Sequence, residues 1–374
     1  MAPELSELTR KACYTGEVLP EVTRAGKWFL RSGIQQPDGG VARYYRADLR
    51  RNLPVSTEIT GYSLTAFVYL HCVTTDDHGA YLERAASAAR FLVRTAWDRA
   101  TGTMPFEIGP AAHTYFFDCG IVVRGLLSAW RALGAEEFLE VSAALGESMA
   151  ADFAGPHDYH PILSLPAKRP VERDPLSWSR SAGCYQLKAA MAWWDLWEVT
   201  GDPQFRELYD RVLADSLRTW AAFLPGHPDR MKVVDRLHPF LYFLEGLLPR
   251  ATEPHCAAAL RSGIPIAAAH LRNLAPEFER SDAYAQLLRV RLYANLAGVV
   301  PLDREAARFE AQTLAGFQSS DTDPRVDGGF TFGRLHGCCI PHVNPVSTAF
   351  ALQALALWDA HRNGQAQPHR HLLI

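Results

Sequence analysis

Two kinds of apolar segment alternate along the chain, and this alternation constrains the fold more than any other feature. The first kind is amphipathic. In residues 203–222, Phe205, Leu208, Val212 and Trp220 fall on one stripe at helical spacing, with charged residues largely opposite. This pattern is typical of a surface helix with one buried face. Similar segments lie near residues 20–33, 80–96, 136–153, 254–272 and 303–316.

The second kind of segment is apolar on every side. Residues 59–70 and 346–358 contain no charged residue, and residues 121–133 contain only Arg124 and Arg131. A helix that is hydrophobic all round is buried all round. Segments near 182–199, 238–248 and 282–297 complete this set, and no convincing strand alternation lies between the helices.

Six pairs in strict alternation predict an all-α fold, an (α/α)6 barrel or toroid of six helical hairpins. The six buried helices form the inner ring, and the six amphipathic helices form the outer ring. Tyr81, Phe138 and Phe205 open three successive surface helices, which indicates a degenerate internal repeat. Since no linker divides the chain, we predict one domain over residues 1–374, with 1–19 as an N-terminal extension and 362–374 as a C-terminal tail.

Loop lengths predict that the two faces of the toroid differ. Connections from a buried helix to the next surface helix are mostly short. Connections in the opposite sense are long, and functional residues concentrate in long loops. We therefore expect the functional face where the inner helices begin. The predicted long loops are roughly 34–56, 97–115, 154–181, 223–237 and 317–343.

Short motifs stand at successive predicted starts of inner helices. They are Pro37-Asp38-Gly39-Gly40 with Tyr44-Tyr45, Ser56-Thr57-Glu58-Ile59-Thr60-Gly61-Tyr62, Phe117-Asp118-Cys119-Gly120, Cys184-Tyr185-Gln186, and Gly328-Gly329-Phe330 followed by Asn344-Pro345. This series resembles toroid proteins of polysaccharide-biosynthesis contexts. The whole arrangement resembles the six-hairpin glycosidase-like superfamily, with its uronide hydrolases and sugar 2-epimerases, and more distantly the terpenoid cyclases and protein prenyltransferases. The resemblance implies a carbohydrate-active protein.

Glu58 and Asp118 are the candidate catalytic residues, each at the start of a buried inner helix. Two carboxylates that face one cavity are suited to acid–base or nucleophilic chemistry on a glycosidic bond. The alternative is structural, because acidic residues in a first helical turn interact favourably with unpaired N–H groups. The same interaction favours the ionised form and hence a base or nucleophile, unless desolvation overcomes it. Asp118 also resembles the aspartate of uronide hydrolases at the equivalent helix start.

Aromatic and polar side chains in or near the long loops form a candidate substrate-binding set. Sugars combine apolar C–H faces with a hydroxyl rim, which suits aromatic platforms surrounded by polar groups, although single rings often serve only packing. Arg180 and Arg280 are candidates to hold a uronate carboxylate. The full set is Tyr44, Tyr45, Tyr62, Glu107, His113, Tyr115, Trp178, Arg180, Tyr185, His238, Arg280, Asp282, Asp327, Phe330, His336 and His342.

His336, Cys338, Cys339 and His342 contain the side-chain types that bind zinc. Adjacent cysteines do not easily ligate one ion together, and the spacing matches no structural zinc template. We therefore predict no metal site here, and we predict no cofactor. The sequence also lacks a phosphate-binding loop, a dinucleotide fingerprint and a serine nucleophile elbow in a plausible strand–helix context, which disfavours nucleotide-dependent chemistry.

Charge and cysteine usage narrow the partners and the compartment. The chain has 38 basic and 41 acidic residues with no basic run, which argues against nucleic-acid binding. Its charge-free runs are too short for membrane insertion, and an odd count of 7 cysteines indicates reduced thiols and a cytoplasmic location.

We predict an enzyme of hydrolase, lyase or epimerase type that acts on an oligosaccharide or polysaccharide intermediate, with a glycan or other small molecule in the central cavity. A non-catalytic glycan- or protein-binding toroid and an isoprenoid enzyme remain as alternatives, and the oligomeric state is left open.

Overall fold

The computed structural model describes residues 18–109, 112–224, 230–367 and 369–374, and twelve α-helices lie within these ranges. In chain order they are α1 (Pro20–Arg31), α2 (Thr57–Val73), α3 (His78–Phe91), α4 (Phe116–Leu133), α5 (Glu136–Asp152), α6 (Gln186–Thr200), α7 (Pro203–Phe223), α8 (Arg230–Gly246), α9 (Pro254–Leu274), α10 (Ser281–Leu296), α11 (Arg304–Ala315) and α12 (Pro345–Arg362).

The helices form two concentric rings, and the predicted (α/α)6 toroid is confirmed. Each even-numbered helix packs against the next even-numbered helix, and α12 packs against both α2 and α1, which closes the circle. The even-numbered helices form the inner ring and are buried on nearly all sides, whereas the odd-numbered helices bury one face. The predicted start of α7 is also confirmed, because Asp202 accepts a hydrogen bond from the backbone N–H of Gln204 and Pro203 occupies the first helical position.

Glycines bring neighbouring inner helices close together. A Cβ atom on Gly125 of α4 would lie 2.6 Å from the carbonyl oxygen of Gly61 in α2. A Cβ atom on Gly120 would lie 2.5 Å from the carbonyl oxygen of Ala189 in α6. Both distances are shorter than a carbon–oxygen contact allows, so the backbones of α2, α4 and α6 approach this closely only because these positions have no side chain.

Within the described residues, nine short strands join the long connections on the face where the inner helices begin. They are β1 (Tyr45–Arg46), β2 (Arg51–Asn52), β3 (His113–Tyr115), β4 (Ile162–Ser164), β5 (Arg169–Pro170), β6 (Phe278–Arg280), β7 (Gly333–Leu335), β8 (Cys338–Cys339) and β9 (His342–Val343). They pair antiparallel in three small sheets, ordered β2-β1-β9, β3-β4-β5 and β6-β7-β8. Each strand has two or three residues, which is too short for an alternating pattern to be visible in the sequence.

The predicted long loop at 223–237 is wrong over much of its length. Helix α8 begins at Arg230, eight residues before the predicted start at His238. The early turns of α8 are rich in charged residues, and Pro239 lies inside the helix, where proline usually marks a break. These two signals made the first half of α8 resemble a loop.

The segment predicted as a C-terminal tail begins as the last residue of α12 and then turns back into the protein. Leu372, Leu373 and Ile374 are buried, with 4%, 1% and 1% of their surface exposed. Of the predicted N-terminal extension, residues 1–17 lie outside the described residues. Within the described ranges, the structure contains no helix with the length and apolar character needed to span a bilayer.

Candidate active site at the inner-helix N-termini

Glu58 and Asp118 lie in the first turns of two neighbouring, parallel inner helices. Glu58 is the second residue of α2 and Asp118 is the third residue of α4. About one turn further along, a Cβ atom on Gly61 would lie 3.1 Å from the Cα atom of Val122, so the two backbones are in close contact there. Because each carboxylate precedes this contact by about one turn, the two side chains occupy the same level of the inner ring.

Neither carboxylate is the N-cap of its helix. Helix α2 is capped by Ser56, whose hydroxyl accepts a hydrogen bond from the backbone N–H of Ile59 at 3.4 Å. Helix α4 begins after Tyr115 without a side-chain cap. Within the described residues Oδ2 of Asp118 is buried and has no hydrogen-bond partner, and neither Glu58 nor Asp118 forms an ion pair.

Burial makes both groups weaker acids than usual. Desolvation raises the pKa of Glu58 from 4.5 to about 7. Desolvation, and then the negative charge of Glu58, raise the pKa of Asp118 well above its ordinary value of 3.8. The helix-terminus effect, which favours ionised carboxylates, is therefore outweighed. Burial therefore favours the protonated form of both groups, with Asp118 only 7% exposed and Glu58 partly exposed.

Aromatic rings surround the carboxylate pair. Phe117 lies 4.6 Å from Tyr242 between ring centroids, and the Tyr62 hydroxyl donates a hydrogen bond to the Tyr242 hydroxyl at 3.1 Å. Trp178 and Tyr185 meet edge-to-face at 5.0 Å. These contacts connect α2, α4 and α8 with the loop before α6, and they form an apolar wall with hydroxyl groups at its edge.

His238 lies across the inner ring from Glu58, because α8 is three places from α2 among the six inner helices. Its Nδ1 atom lies 2.6 Å from Oε1 of Gln286, which places the proton on Nδ1 and leaves Nε2 as the basic atom. Burial, and then the positive charge of Arg280, lower the pKa of His238 from 6.5 to about 4. The imidazole is therefore neutral at physiological pH.

Asp282 and Arg280 form a two-bonded ion pair beside His238. The guanidinium donates to the two carboxylate oxygens at 3.0 and 2.6 Å. Although burial opposes the effect, Arg280 and then His238 lower the pKa of Asp282. Asp282 stays ionised, in contrast to Glu58 and Asp118, and Arg280 is already paired with a protein carboxylate.

Three more predicted residues lie near the pair. Burial and then the negative charge of Asp118 raise the pKa of Tyr115. The charge of Arg180 lowers this pKa and that of Glu107 raises it, each to a smaller extent. Arg180 is exposed and donates to the backbone oxygen of Glu172 at 3.2 Å. Arg180 is therefore a cation at the pocket entrance that is bound only to a neutral acceptor among the described residues.

The remaining predicted residues lie at the rim or away from the carboxylates. Tyr44 stacks on His342 at 4.7 Å between ring centroids, as a pair at the rim. Two of the others are buried in the core: Tyr45 lies beneath Arg325, and Phe330 is fully buried. Asp327 forms an ion pair with Arg24 of α1 at 3.0 Å. His113 on β3 and His336 at the turn between β7 and β8 are exposed.

Sequence reasoning missed three residues of the site: Phe117, Tyr242 and Gln286. Tyr242 follows His238 by four residues and so shares its face of α8. Gln286 follows Asp282 by four residues on α10 in the same way. Helical spacing from the predicted polar residues is thus a signal that points to both.

The described residues contain no group of three or more His, Cys, Asp or Glu side chains arranged to hold a metal ion. Cys338 and Cys339 are exposed on β8. Successive residues of a strand direct their side chains to opposite faces, so the two thiols do not converge on one point.

Comparisons with known proteins place this geometry in a fold. No protein-family model matches the sequence, and no curated protein matches it. Among solved structures, it resembles a sugar epimerase from a ruminal bacterium, with 11% identity over 94% of this chain and 98% of that chain and a TM-score of 0.69. It also resembles cellobiose 2-epimerase from Bacillus thermoamylovorans, with 12% identity, coverage of 95% and 99%, and a TM-score of 0.67.

A third similar structure contains a bound sugar. It is an inactive variant of an α-1,6-mannanase of Salegentibacter in complex with α-1,6-mannotetrose, with 11% identity, coverage of 91% and 100%, and a TM-score of 0.58. At these identities the likeness concerns the fold. The chain therefore has an (α/α)6 toroid fold, which it shares with these solved structures.

Proposed function

We propose that the protein is a carbohydrate-active enzyme of hydrolase, lyase or epimerase type that acts on an oligosaccharide or polysaccharide intermediate. The observation that carries the proposal is the Glu58–Asp118 pair. Two unpaired, desolvated carboxylates share an aromatic pocket, where burial favours the protonated form of both groups. Three solved proteins with this fold are named for action on sugars, or hold one, which supports the same class.

The different environments of the two carboxylates support different roles for them. Asp118 is more buried and also carries the effect of Glu58, so it keeps the proton and acts as the general acid. Glu58 is partly exposed and acts as the base. In hydrolysis, Asp118 gives its proton to the leaving glycosidic oxygen as the C–O bond breaks. Glu58 takes a proton from the attacking water, whose oxygen bonds to the anomeric carbon.

The surroundings of the pair favour a sugar over an isoprenoid. Tyr62, Tyr115 and Tyr242 present hydroxyl groups beside their rings, and Arg180 and Glu107 add charge at the entrance. A sugar uses both the ring faces and the polar groups, whereas a hydrocarbon chain would leave the buried Oδ2 atom of Asp118 without a hydrogen-bond partner. Arg180 further suits a glycan that carries a carboxylate.

A second candidate function within this class is sugar epimerisation, which His238 favours. Inversion at a carbon needs one group to remove a proton from one face of the sugar and another to return a proton to the opposite face. The neutral His238, with Nε2 as its basic atom, lies across the inner ring from Glu58. The two candidates differ in a measurable way, because epimerisation in heavy water incorporates deuterium at the inverted carbon and hydrolysis does not.

The proposal is tested with a panel of neutral and uronate-containing oligosaccharides from two to six residues. Products are detected by mass spectrometry, and binding is measured by isothermal titration calorimetry. Glu58→Gln and Asp118→Asn should each lower turnover at least about a hundredfold, which is the usual contribution of a general acid or base. Glu140→Gln on the exposed surface of α5 is the matched control and should leave turnover unchanged.

Two outcomes would contradict the proposed function. If turnover is unchanged in both carboxylate variants, the pair does no chemistry. If several glycans bind without turnover and binding falls in Trp178→Ala, the protein is a glycan-binding toroid.

The odd cysteine count further supports a cytoplasmic location, which fractionation of the producing cells would test.

A further inference from the structure

The pocket above Glu58 and Asp118 has a side wall in which each segment is bonded to the next. We call the six segments that lead into the inner helices the mouth segments; the described parts are 32–56, 92–109 with 112–115, 153–185, the start of α8, 275–280 and 316–344. In that order, three links are strand pairings: β3–β4 joins the second and third segments, β6–β7 joins the fifth and sixth, and β9–β1 joins the sixth to the first. The Arg43–Glu107 ion pair at 3.3 Å joins the first and second segments, and the Arg230–Glu277 ion pair at 2.8 Å joins the fourth and fifth. The third and fourth segments are joined by a hydrogen bond from the backbone N–H of Trp178 to the Asp235 carboxylate at 3.1 Å.

The pocket also has a floor close beneath the carboxylates. Tyr62 on α2 and Tyr242 on α8 extend from opposite sides of the inner ring, and their hydroxyl groups meet at 3.1 Å. Phe350 of α12 packs edge-on against Tyr62 at 5.2 Å between ring centroids. Tyr62 follows Glu58 by four residues, so the floor lies one helical turn, about 6 Å, below the catalytic level.

Beneath this floor the bore is filled with protein. Lys188 of α6 and Arg289 of α10 both pair with Glu245 of α8, and these three side chains are fully buried. The backbone oxygen of Ile374 accepts hydrogen bonds from Lys188 at 3.1 Å and from Arg289 at 3.0 Å. The chain segment 372–374 therefore occupies the axis of the barrel below the Tyr62–Tyr242 pair.

From the wall and the floor we infer that the site acts on the terminal residue of its glycan, which enters through the mouth end first. This inference rests on the proposed function. One helical turn below Glu58 leaves depth for about one sugar ring. The rest of the chain can extend only upward, through the mouth. An enzyme that binds internal segments needs a cleft open at two sides, so that the chain can enter and leave, and the linked mouth segments oppose that arrangement.

The inference predicts a particular dependence on chain ends and chain length. Blocking one end of an oligosaccharide should abolish binding, whereas blocking the other end should leave it within about twofold. Affinity should rise from a monosaccharide to a di- or trisaccharide and then stay constant, because further residues lie outside the mouth. Products should differ from the substrate by one residue in hydrolysis, or by the configuration of one terminal residue in epimerisation.

The test uses α-1,6-mannotetraose, cellotetraose and the best member of the oligosaccharide panel. Each is prepared free, as the methyl glycoside at the reducing end, with the non-reducing end blocked, and with both ends blocked. Calorimetry on full-length Glu58→Gln measures binding without turnover, and mass spectrometry on the wild-type protein identifies products. Glu140→Gln, which keeps the pocket intact, is the control for both measurements.

The outcomes separate this inference from the proposed function. Loss of binding for one singly blocked form, with products one residue shorter or inverted at one end, supports end-first entry. Binding of the doubly blocked form, or products from internal cleavage, overturns end-first entry and leaves the proposed function standing. If no member of the panel binds or reacts, the proposed function fails, and the inference fails with it.

Discussion

Replacing Glu58 with glutamine tests whether burial controls the proton at the site. Burial raises the pKa of Glu58 from 4.5 to about 7, so between these values the folded protein binds more protons than the unfolded chain. The free energy of unfolding therefore falls as the pH rises through this window. From the two pKa values, the wild-type protein loses at most about 2–3 kcal/mol from this group between pH 5 and pH 8. Glutamine cannot ionise, so Glu58→Gln is spared that loss.

The effect is measurable as a melting temperature. For a chain of 374 residues the entropy of unfolding is about 0.8 kcal/mol per kelvin, so a loss of about 2–3 kcal/mol corresponds to about 3 °C. Differential scanning calorimetry at pH 5 and pH 8 compares the wild type, Glu58→Gln and the exposed control Glu140→Gln. We expect the Tm of Glu58→Gln, relative to the wild type, to be about 3 °C higher at pH 8 than at pH 5, and the control to show no such change.

The opposite result would identify a structural carboxylate. A carboxylate that interacts with the helix N-terminus stabilises by about 0.3–1 kcal/mol when ionised. Its removal would lower the Tm at both pH values, and more at pH 8, where the group is fully charged. That outcome would show that Glu58 is not desolvated, and the argument that burial favours the protonated form of the pair would fail.

Three further predictions concern the framework of the site. Gly125→Ala would place a methyl group 2.6 Å from the carbonyl oxygen of Gly61, and overpacking should lower the free energy of unfolding by about 1–3 kcal/mol, seen as a lower urea midpoint. Lys188→Met removes one cation from the fully buried Glu245 and should cost about 3–5 kcal/mol by the same measurement, whereas a stability within about 1 kcal/mol of the wild type would contradict a buried ion pair. Elemental analysis should find no stoichiometric zinc, and near-equimolar zinc that disappears in Cys338→Ser would prove this wrong.

Much of the fold could be predicted because each ring of helices has its own pattern. Inner helices such as α2 and α12 are buried on nearly all sides and carry charged residues only near their ends, while outer helices such as α7 carry one apolar stripe. The exception was α8. Its early turns lie at the mouth, where the charged side chains Arg230 and Arg236 bond to neighbouring segments, so this part of an inner helix carries the composition of a loop.

The site was predictable in position but not in protonation. A helix start can be recognised from residues such as Ser56, which locates Glu58, and the pattern of inner helices locates Asp118 in the same way. Whether burial or the helix terminus controls the pKa depends on how much of each carboxyl group is covered. Tyr242 and Trp178 pack against Phe117, the residue before Asp118, and both are too distant in the sequence for pattern analysis to bring them to this site.

The protonation of the pair and the shape of the pocket belong to one mechanism. Glu58 is the more exposed of the two carboxylates, and the Tyr62–Tyr242 floor closes the pocket one turn further along its helix. On the proposed function, a terminal sugar that fills the pocket covers Glu58 and removes its remaining water. Further desolvation raises the proton affinity of the pair, and the effect on Asp118 is in the same direction. Bound substrate thus keeps the acid Asp118 protonated, whereas the same desolvation opposes ionisation of the base Glu58.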